Sequence, residues 1–399
     1  MGRLTVVPVR RGTASLTNST TSEEKEVPFL QREIKGYKQV ICQPTSLLLA
    51  LVPFGFMGRT MQWNSLVVCI INFFAIVGMA NVQYRAVECV SLQVSPTIGG
   101  LIDAFLGKSV EQVMAIQCLR AGLTQVLKAN LMGSMHWCLL LVLGMSIFAA
   151  GTKAKNCKFN IDGAAAQMSC QVVAAISITL PTMFCSVPGV SAEHVVLLSR
   201  VCAAFLIFLY FSFIYFHLKT HKASFQTAEA QHIMSEEERE LSQLSLGSSI
   251  LLMVASIAVA AFNSQVLVDH LQDLSQTFHV PQQFIGATML PILGNTAEHI
   301  ASVSYAMKDE MDSAISVAVG SATQIALFVV PLSVFSGWAL DTPMSLDFSM
   351  YDSAVMLLGT FLVAQMLRHG SSNWLHGAML MMVYLMIAVI SYFLPSRGE

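Results

Sequence analysis

The stretch GNTAEHIASVSYAMKDEMDSAISVAVGSATQI, beginning at Gly294, sets Glu298 and Gln324 among residues that otherwise suit the interior of a membrane. A charged carboxylate in mid-membrane costs at least about 2.5–3.5 kcal/mol on insertion scales, so its presence calls for a partner or a task. A second stretch, GKSVEQVMAIQCLRAGLTQVLKANLMGSMHWC from Gly107, aligns with the first without a gap. Gly107 pairs with Gly294, Glu111 with Glu298, Gly133-Ser134 with Gly320-Ser321 and Ile98-Gly99 with Ile285-Gly286, always 187 residues apart. A constant offset over such a length reads as an internal duplication.

Two glutamates brought to one point away from water hold protons or a cation, one at the expense of the other. That mutual exclusion is the coupling rule of an antiporter. Calcium is the divalent ion best matched, since it takes about six to eight oxygen ligands in flexible geometry and accepts backbone carbonyls. Gly107 and Gly294 are places where a helix can unwind and turn such carbonyls inward. Asn295, Ser134, Ser321 and Gln324 can add neutral oxygens, although Gly-Ser pairs serve equally for close helix packing. His299 adjoins Glu298 and is a candidate for proton coupling. An adjacent helical residue points about 100° away, so a hydrogen-bonding role outside the site is an equal alternative. His136 reads as a packed histidine.

These residues need helices in a bilayer to position them. The chain of 399 residues is 54% hydrophobic and 12% charged, with a mean hydropathy of +0.62. Continuously apolar runs, long enough to cross hydrocarbon as helices, recur at 46–58, 64–80, 98–117, 130–150, 170–188 and 195–217. They resume at 248–270, 281–306, 312–335, 350–367 and 374–394. Continuous rather than alternating apolarity points to helices and not a barrel. The expected fold is an all-α polytopic membrane protein of about eleven transmembrane helices. Five spans separate the two copies, an odd number, so the second copy enters the membrane in the opposite sense. Inverted repeats with Gly-interrupted helices are the signature of secondary transporters whose ion site lies near the midplane. The expected division is a tail at 1–45, an extra first helix at 46–63, a five-helix repeat at 64–217, a linker at 218–247 and a second five-helix repeat at 248–395.

With the N-terminus in the cytosol, sixteen of the 22 Lys and Arg residues fall on the cytosolic side, the bias expected of a membrane protein in that orientation. Residues 1–45 carry no apolar stretch, so the first helix is expected to serve as its own targeting signal. Nine cysteines without C-x-x-C spacing read as buried thiols. The formal charge of −2 suggests neither nucleic acid nor an acidic partner, and no cofactor is implied. Asn18-Ser19-Thr20 matches a glycosylation pattern but lies on the wrong side of the membrane in this topology. No H-E-x-x-H, G-x-S-x-G or paired-aspartate motif falls in the spans, which speaks against an intramembrane enzyme.

At GNTAEHIASVSYAMKDEMDSAISVAVGSATQIALFVVPLSV the sequence closely resembles the second signature of the cation/proton exchanger family, the vacuolar calcium/proton antiporters of the calcium/cation antiporter superfamily. PTIGGLIDAFLGKSVE, LMGSMHWCLLLVLG, MSLDF at 344–348 and HGSSNWLHG at 369–377 support the resemblance, which covers roughly residues 45–395. The resemblance implies eleven spans, as one helix plus inverted sets of five, with an acidic cytosolic stretch between the sets. SEEERE at 235–240 occupies that place. It further implies exchange of cytosolic calcium, or manganese, for protons of a vacuole or other acidic organelle. Glu298 and Glu111 become the shared carboxylates, with Asn295 and the backbone of Gly294 and Gly107 beside them. Each pH unit across the membrane is worth about 1.4 kcal/mol per proton, so two or more protons can move one divalent ion uphill.

The first half departs from the family pattern. Gly107 is followed by Lys108 where the family reads Asn, Cys138 stands at an asparagine position, and Asn81 and Gln265 stand where acidic residues are expected. Lys108 matters most. An ammonium about 5 Å from a bound divalent ion repels it by about 7 kcal/mol at an effective dielectric near 20, close to the whole energy of a micromolar site. Lys108 can point inward and charged, pair with Glu111 three residues on, lie buried and neutral, or turn outward with its stem packed. These options leave two alternatives to calcium/proton exchange: a divergent exchanger of altered ion or stoichiometry, and a transport-inactive relative that regulates a partner.

Overall fold

The computed structural model describes residues 29–41, 44–221 and 244–394, and among them the protein is almost wholly helical. Several helices begin where the sequence supplies a side-chain cap. The side chain of Asn64 accepts from the amide of Leu66, Asn160 from Asp162, Ser191 from His194, Ser245 from Ser248 and Ser349 from Asp352. Each takes up one of the amides that a helix start leaves without an intrahelical partner.

In chain order, α1 is Phe29–Ile41, and a 3₁₀ segment Pro44–Leu51 leads into α2, Val52–Thr60. The first half continues with α3 (Ser65–Gln93), α4 (Pro96–Leu106), α5 (Ser109–Arg120), α6 (Thr124–Lys153), α7 (Ile161–Cys185) and α8 (Ala192–Thr220). The second half holds α9 (Leu246–Phe278), then α10, in which Gln282–Phe284, Ile285–Met289 and Leu290–Met307 run on without a break. It ends with α11 (Met311–Ala339), α12 (Met350–Leu367) and α13 (Trp374–Phe393). A minimal antiparallel pairing of Cys157–Lys158 with Ser371–Ser372 ties the α6–α7 connection to the α12–α13 connection.

Among the described residues, eight helices are long and apolar enough to cross a membrane: α3, α6, α7, α8, α9, α11, α12 and α13. The other expected spans fall short for chemical reasons. Leu47–Thr60 is short, α4 and α5 are separate pieces broken at Gly107-Lys108, and α10 carries Asn295, Thr296, Glu298 and His299. Helices that hold polar side chains for a site forfeit apolarity, so the weakest spans are the ones that matter most.

Residues 29–41, within the expected N-terminal tail, form α1. Its Glu33 Oε1 accepts the Ser245 amide at 2.8 Å, and Gly36 lies against Leu244 at the start of α9. The acidic run 235–240 and Asn18 lie outside the described residues.

Lipid-facing and core helices divide by residue type. On α8 the exposed Phe205, Phe208 and Phe211 recur every third residue, a greasy outer stripe. By contrast α6 and α11 are enclosed, and their Gly133-Ser134 and Gly320-Ser321 pairs sit just before a π turn in each: Trp137–Val142 in α6 and Ile325–Val329 in α11. The repeat in sequence is therefore matched by a repeat in irregularity, and π turns concentrate at functional sites.

Candidate ion site

Lys108 is the residue around which the site closes. It is 1% exposed, in the break between α4 and α5, and its three N–H donors each have an oxygen nearby. Nζ donates to Glu298 Oε1 at 2.7 Å and to Asn295 Oδ1 at 3.0 Å, and forms an ion pair with Glu111 Oε1 at 3.2 Å. One cation is thus gripped by oxygens from both halves of the chain, Glu111 from α5 and Glu298 and Asn295 from α10. The side chain lies inward, and the pairing with Glu111 expected from the three-residue spacing is present, but shared with Glu298.

The oxygens reach one point because the backbone permits close approach. A Cβ on Gly294 would lie 2.5 Å from Cδ of Glu111, so only glycine leaves room for that carboxyl against α10. Gly294, read from sequence as a place where the helix can unwind, is instead helical: α10 runs straight through it, with its π turn a turn earlier. Gly107 does mark a helix break, and a Cβ there would meet the Asp103 carbonyl oxygen at 2.6 Å and its Oδ1 at 3.0 Å.

The remaining candidates separate into two groups. Asn295 Nδ2 donates to Ser134 Oγ at 3.4 Å and to the Pro291 carbonyl at 2.9 Å, while Cys138 Sγ donates to Asn295 Oδ1 at 3.2 Å. Ser134 thus belongs to the buried cluster. Ser321 instead lines a cavity, and Gln324 reaches across it, its Nε2 donating to the carbonyls of Asp103 at 3.0 Å and Ala104 at 2.9 Å. His299 is not brought to the cluster: Nε2 lies 3.1 Å from Met145 Sδ and the ring stands edge-on to Trp137 at 5.5 Å. The one-residue step along α10 rotates it away, as helical geometry requires.

The cavity has a volume of about 590 Å³ and runs to Glu298 from the molecular face where α3 meets α4 and where His217 and Leu218 end α8. Tyr84, Glu88, Asp103, Ser321 and Gln324 lie along it. At the other end, α6 and α10 close the path, with Gly133 backed directly onto the Ala287 carbonyl and Gly286 onto Ala129 and the Val126 carbonyl. Gly320, the counterpart of Gly133, has open space around it apart from Gln167. Among the described residues, this cavity reaches the site from one side.

Sequence reasoning flagged Cys138 only as a departure from the family's asparagine, and missed Asp103 and Glu88. Asp103 stands one turn before Gly107, a spacing that places it on the same face of α4 and was the available signal.

The sodium/calcium exchanger protein family matches residues 64–219 and 248–393 of the chain. A Ca(2+)/H(+) antiporter of Aphanothece halophytica is 33% identical over 363 residues, spanning 88% of this chain and 97% of that one. A vacuolar calcium ion transporter of Schizosaccharomyces pombe is 30% identical over 355 residues, 88% and 85% of the two chains. The solved structure of native YfkE superposes with a TM-score of 0.75 at 31% identity, covering 88% of this chain and all of that one.

Proposed function

Because this chain belongs to the sodium/calcium exchanger protein family, a membrane-embedded group of secondary transporters rather than enzymes, we propose that it exchanges cytosolic calcium or manganese for protons drawn from an acidic compartment. Glu111 and Glu298 are the groups that alternate between metal and proton, with Asn295 and Ser134 in support. The observation that carries this reading is the grip on Lys108 Nζ, in which carboxylates from the two halves of the chain meet on a single positive charge. Oxygens that hold an ammonium at 2.7–3.2 Å are the ligand type a hard divalent ion takes.

The chain divides on this reading into an extra first helix and two inverted sets of five, with its N-terminus in the cytosol of a cell whose vacuole or another acidic organelle bears it. The names of the relatives and the bias of Lys and Arg support the assignment. The cavity then faces the cytosol, the side from which the metal is taken. Alternating access passes the site to the lumen when α6 and α10 part.

The seating of Lys108 favours a second reading, in which its fixed charge alters the stoichiometry or leaves the chain a transport-inactive regulator. Calcium-45 uptake driven by a pH gradient into vesicles holding the purified chain separates the two. Uptake by the parent that Glu298→Gln abolishes and Lys108→Asn strengthens is the expected result. Uptake seen only in Lys108→Asn assigns the parent to the inactive class, and uptake indifferent to Glu298→Gln refutes the carboxylate assignment.

A further inference from the structure

Charge accounting at the site points to a residue that the two-glutamate scheme leaves out. With Glu111, Glu298 and Lys108 all ionised the cluster carries −1, and a bound divalent ion takes it to +1 in the membrane interior, an uncompensated charge of the kind that is costly away from water. A fourth ionisable group stands at the same place. Asp103 lines the cavity beside Glu298, its Oδ1 is folded over Gly107 next to Lys108, and its carboxyl interacts electrostatically with both Glu298 and Lys108. Counting it, the cluster is −2, and one divalent ion makes it neutral.

Glu298 offers the second half of such a site. It is 7% exposed, its Oε1 is spent on Lys108, and its Oε2 is buried without a hydrogen-bond partner among the described residues. A buried carboxylate oxygen left unpaired is costly, and a cation is the partner that relieves it. Two neutral oxygens share the cavity wall: the Ser321 hydroxyl, and the Gln324 amide, which spends its N–H donors on the Asp103 and Ala104 carbonyls and keeps its oxygen.

We propose that Asp103 is a metal ligand of this chain, and that the divalent substrate binds on the cavity side of Lys108, between the Asp103 carboxylate and Glu298 Oε2, with Ser321 and Gln324 as neutral ligands. Lys108 then acts as a resident cation that holds Glu111 and Glu298 together, and Asp103 supplies the charge that Lys108 cancels. This deepens the antiport reading and rests on it for the substrate class.

Titration of the purified full-length chain with manganese, followed by the electron paramagnetic resonance signal of free Mn²⁺, tests the site without requiring transport. Asp103→Asn is expected to weaken binding at least tenfold, Asp103→Glu to stay within a few-fold of the parent, and Lys108→Asn to tighten binding at least tenfold. The double variant Asp103→Asn with Lys108→Asn is expected to recover parent affinity or better, because the charge returns to −2. Asp103→Ala replaces the Asn variant if the latter does not purify as a single species. Parent protein that binds no manganese at millimolar concentration, unchanged binding in Asp103→Asn, or a double variant as weak as the single overturns the proposal. Binding with these dependences but no pH-driven calcium-45 uptake sinks the antiport reading and leaves the site standing. Uptake with no role for Asp103 does the reverse.

Discussion

Replacing Lys108 by Asn removes the charge that holds the two halves together and frees the oxygens it occupies. Breaking a buried ion pair by removing one partner costs about 3–5 kcal/mol. On the soluble-protein scale of about 2.1 cal/mol/K per residue, 399 residues melt with an entropy near 0.84 kcal/mol/K, so the metal-free variant is expected to melt about 4–6 °C below the parent. Calcium at a hundred times its dissociation constant returns about 2.7 kcal/mol, or about 3 °C. The parent, whose ammonium repels a divalent ion at about 5 Å by about 7 kcal/mol at an effective dielectric of 20, gains less at the same calcium concentration. The assay is a thermal melt of detergent-purified protein at neutral pH, read by tryptophan fluorescence, with and without calcium. Trp137, edge-on to His299 and one residue from Cys138 of the cluster, is a local reporter. A variant that melts with the parent, and gains no more from calcium than the parent does, refutes the idea that Lys108 occupies a cation's place.

Other outcomes follow from the same geometry. Gly294→Ala drives a methyl group into the Glu111 carboxyl, and pH-driven calcium uptake is expected to fall at least tenfold while the protein still purifies. Gln324→Leu removes the donor shared by the Asp103 and Ala104 carbonyls, which keep the Gly107 amide and the Tyr210 hydroxyl, so a loss of about 0.5–1.5 kcal/mol is expected in a melting curve, together with a several-fold rise in the calcium concentration for half-maximal uptake. At Glu33 on α1, burial raises the carboxyl, but hydrogen bonding to Ser248 and Ser245 outweighs it and holds the group below its ordinary value. A depressed carboxyl favours docking of α1 above its free value, and that contribution is lost as pH falls through the docked one. Protection of α1 from protease is therefore expected to be full at neutral pH, to weaken in acid, and to be low at every pH in Glu33→Gln.

The helical membrane fold was legible because apolar runs and a 187-residue offset are properties of the chain alone. The two glutamates were legible for the same reason, since a carboxylate has no structural excuse in hydrocarbon. What sequence left open was direction. Lys108 had four physically reasonable orientations, and the choice depends on α10 passing close enough, at Gly294, for Glu298 and Asn295 to share the ammonium with Glu111. Asp103 escaped notice because its counterpart in the second half is Leu290, so a search for matched pairs discards it. His299 drew attention by adjacency in sequence and sits on the wrong side of its helix. Ser134 and Ser321 look equivalent on paper and differ in space, one in a closed cluster and one on a cavity wall, because the halves are packed unequally.

Gly100 and Gly320 are the earlier- and later-half counterparts of Ala287 and Gly133, yet only the latter pair touches. Leu218, at the end of α8, stands over Gly100 at 2.6 Å from where a Cβ would be. On the proposed alternating-access cycle, a mirror-image packing that set Gly320 against Gly100 would require this leucine to move aside, which makes one side chain a wedge on the open side.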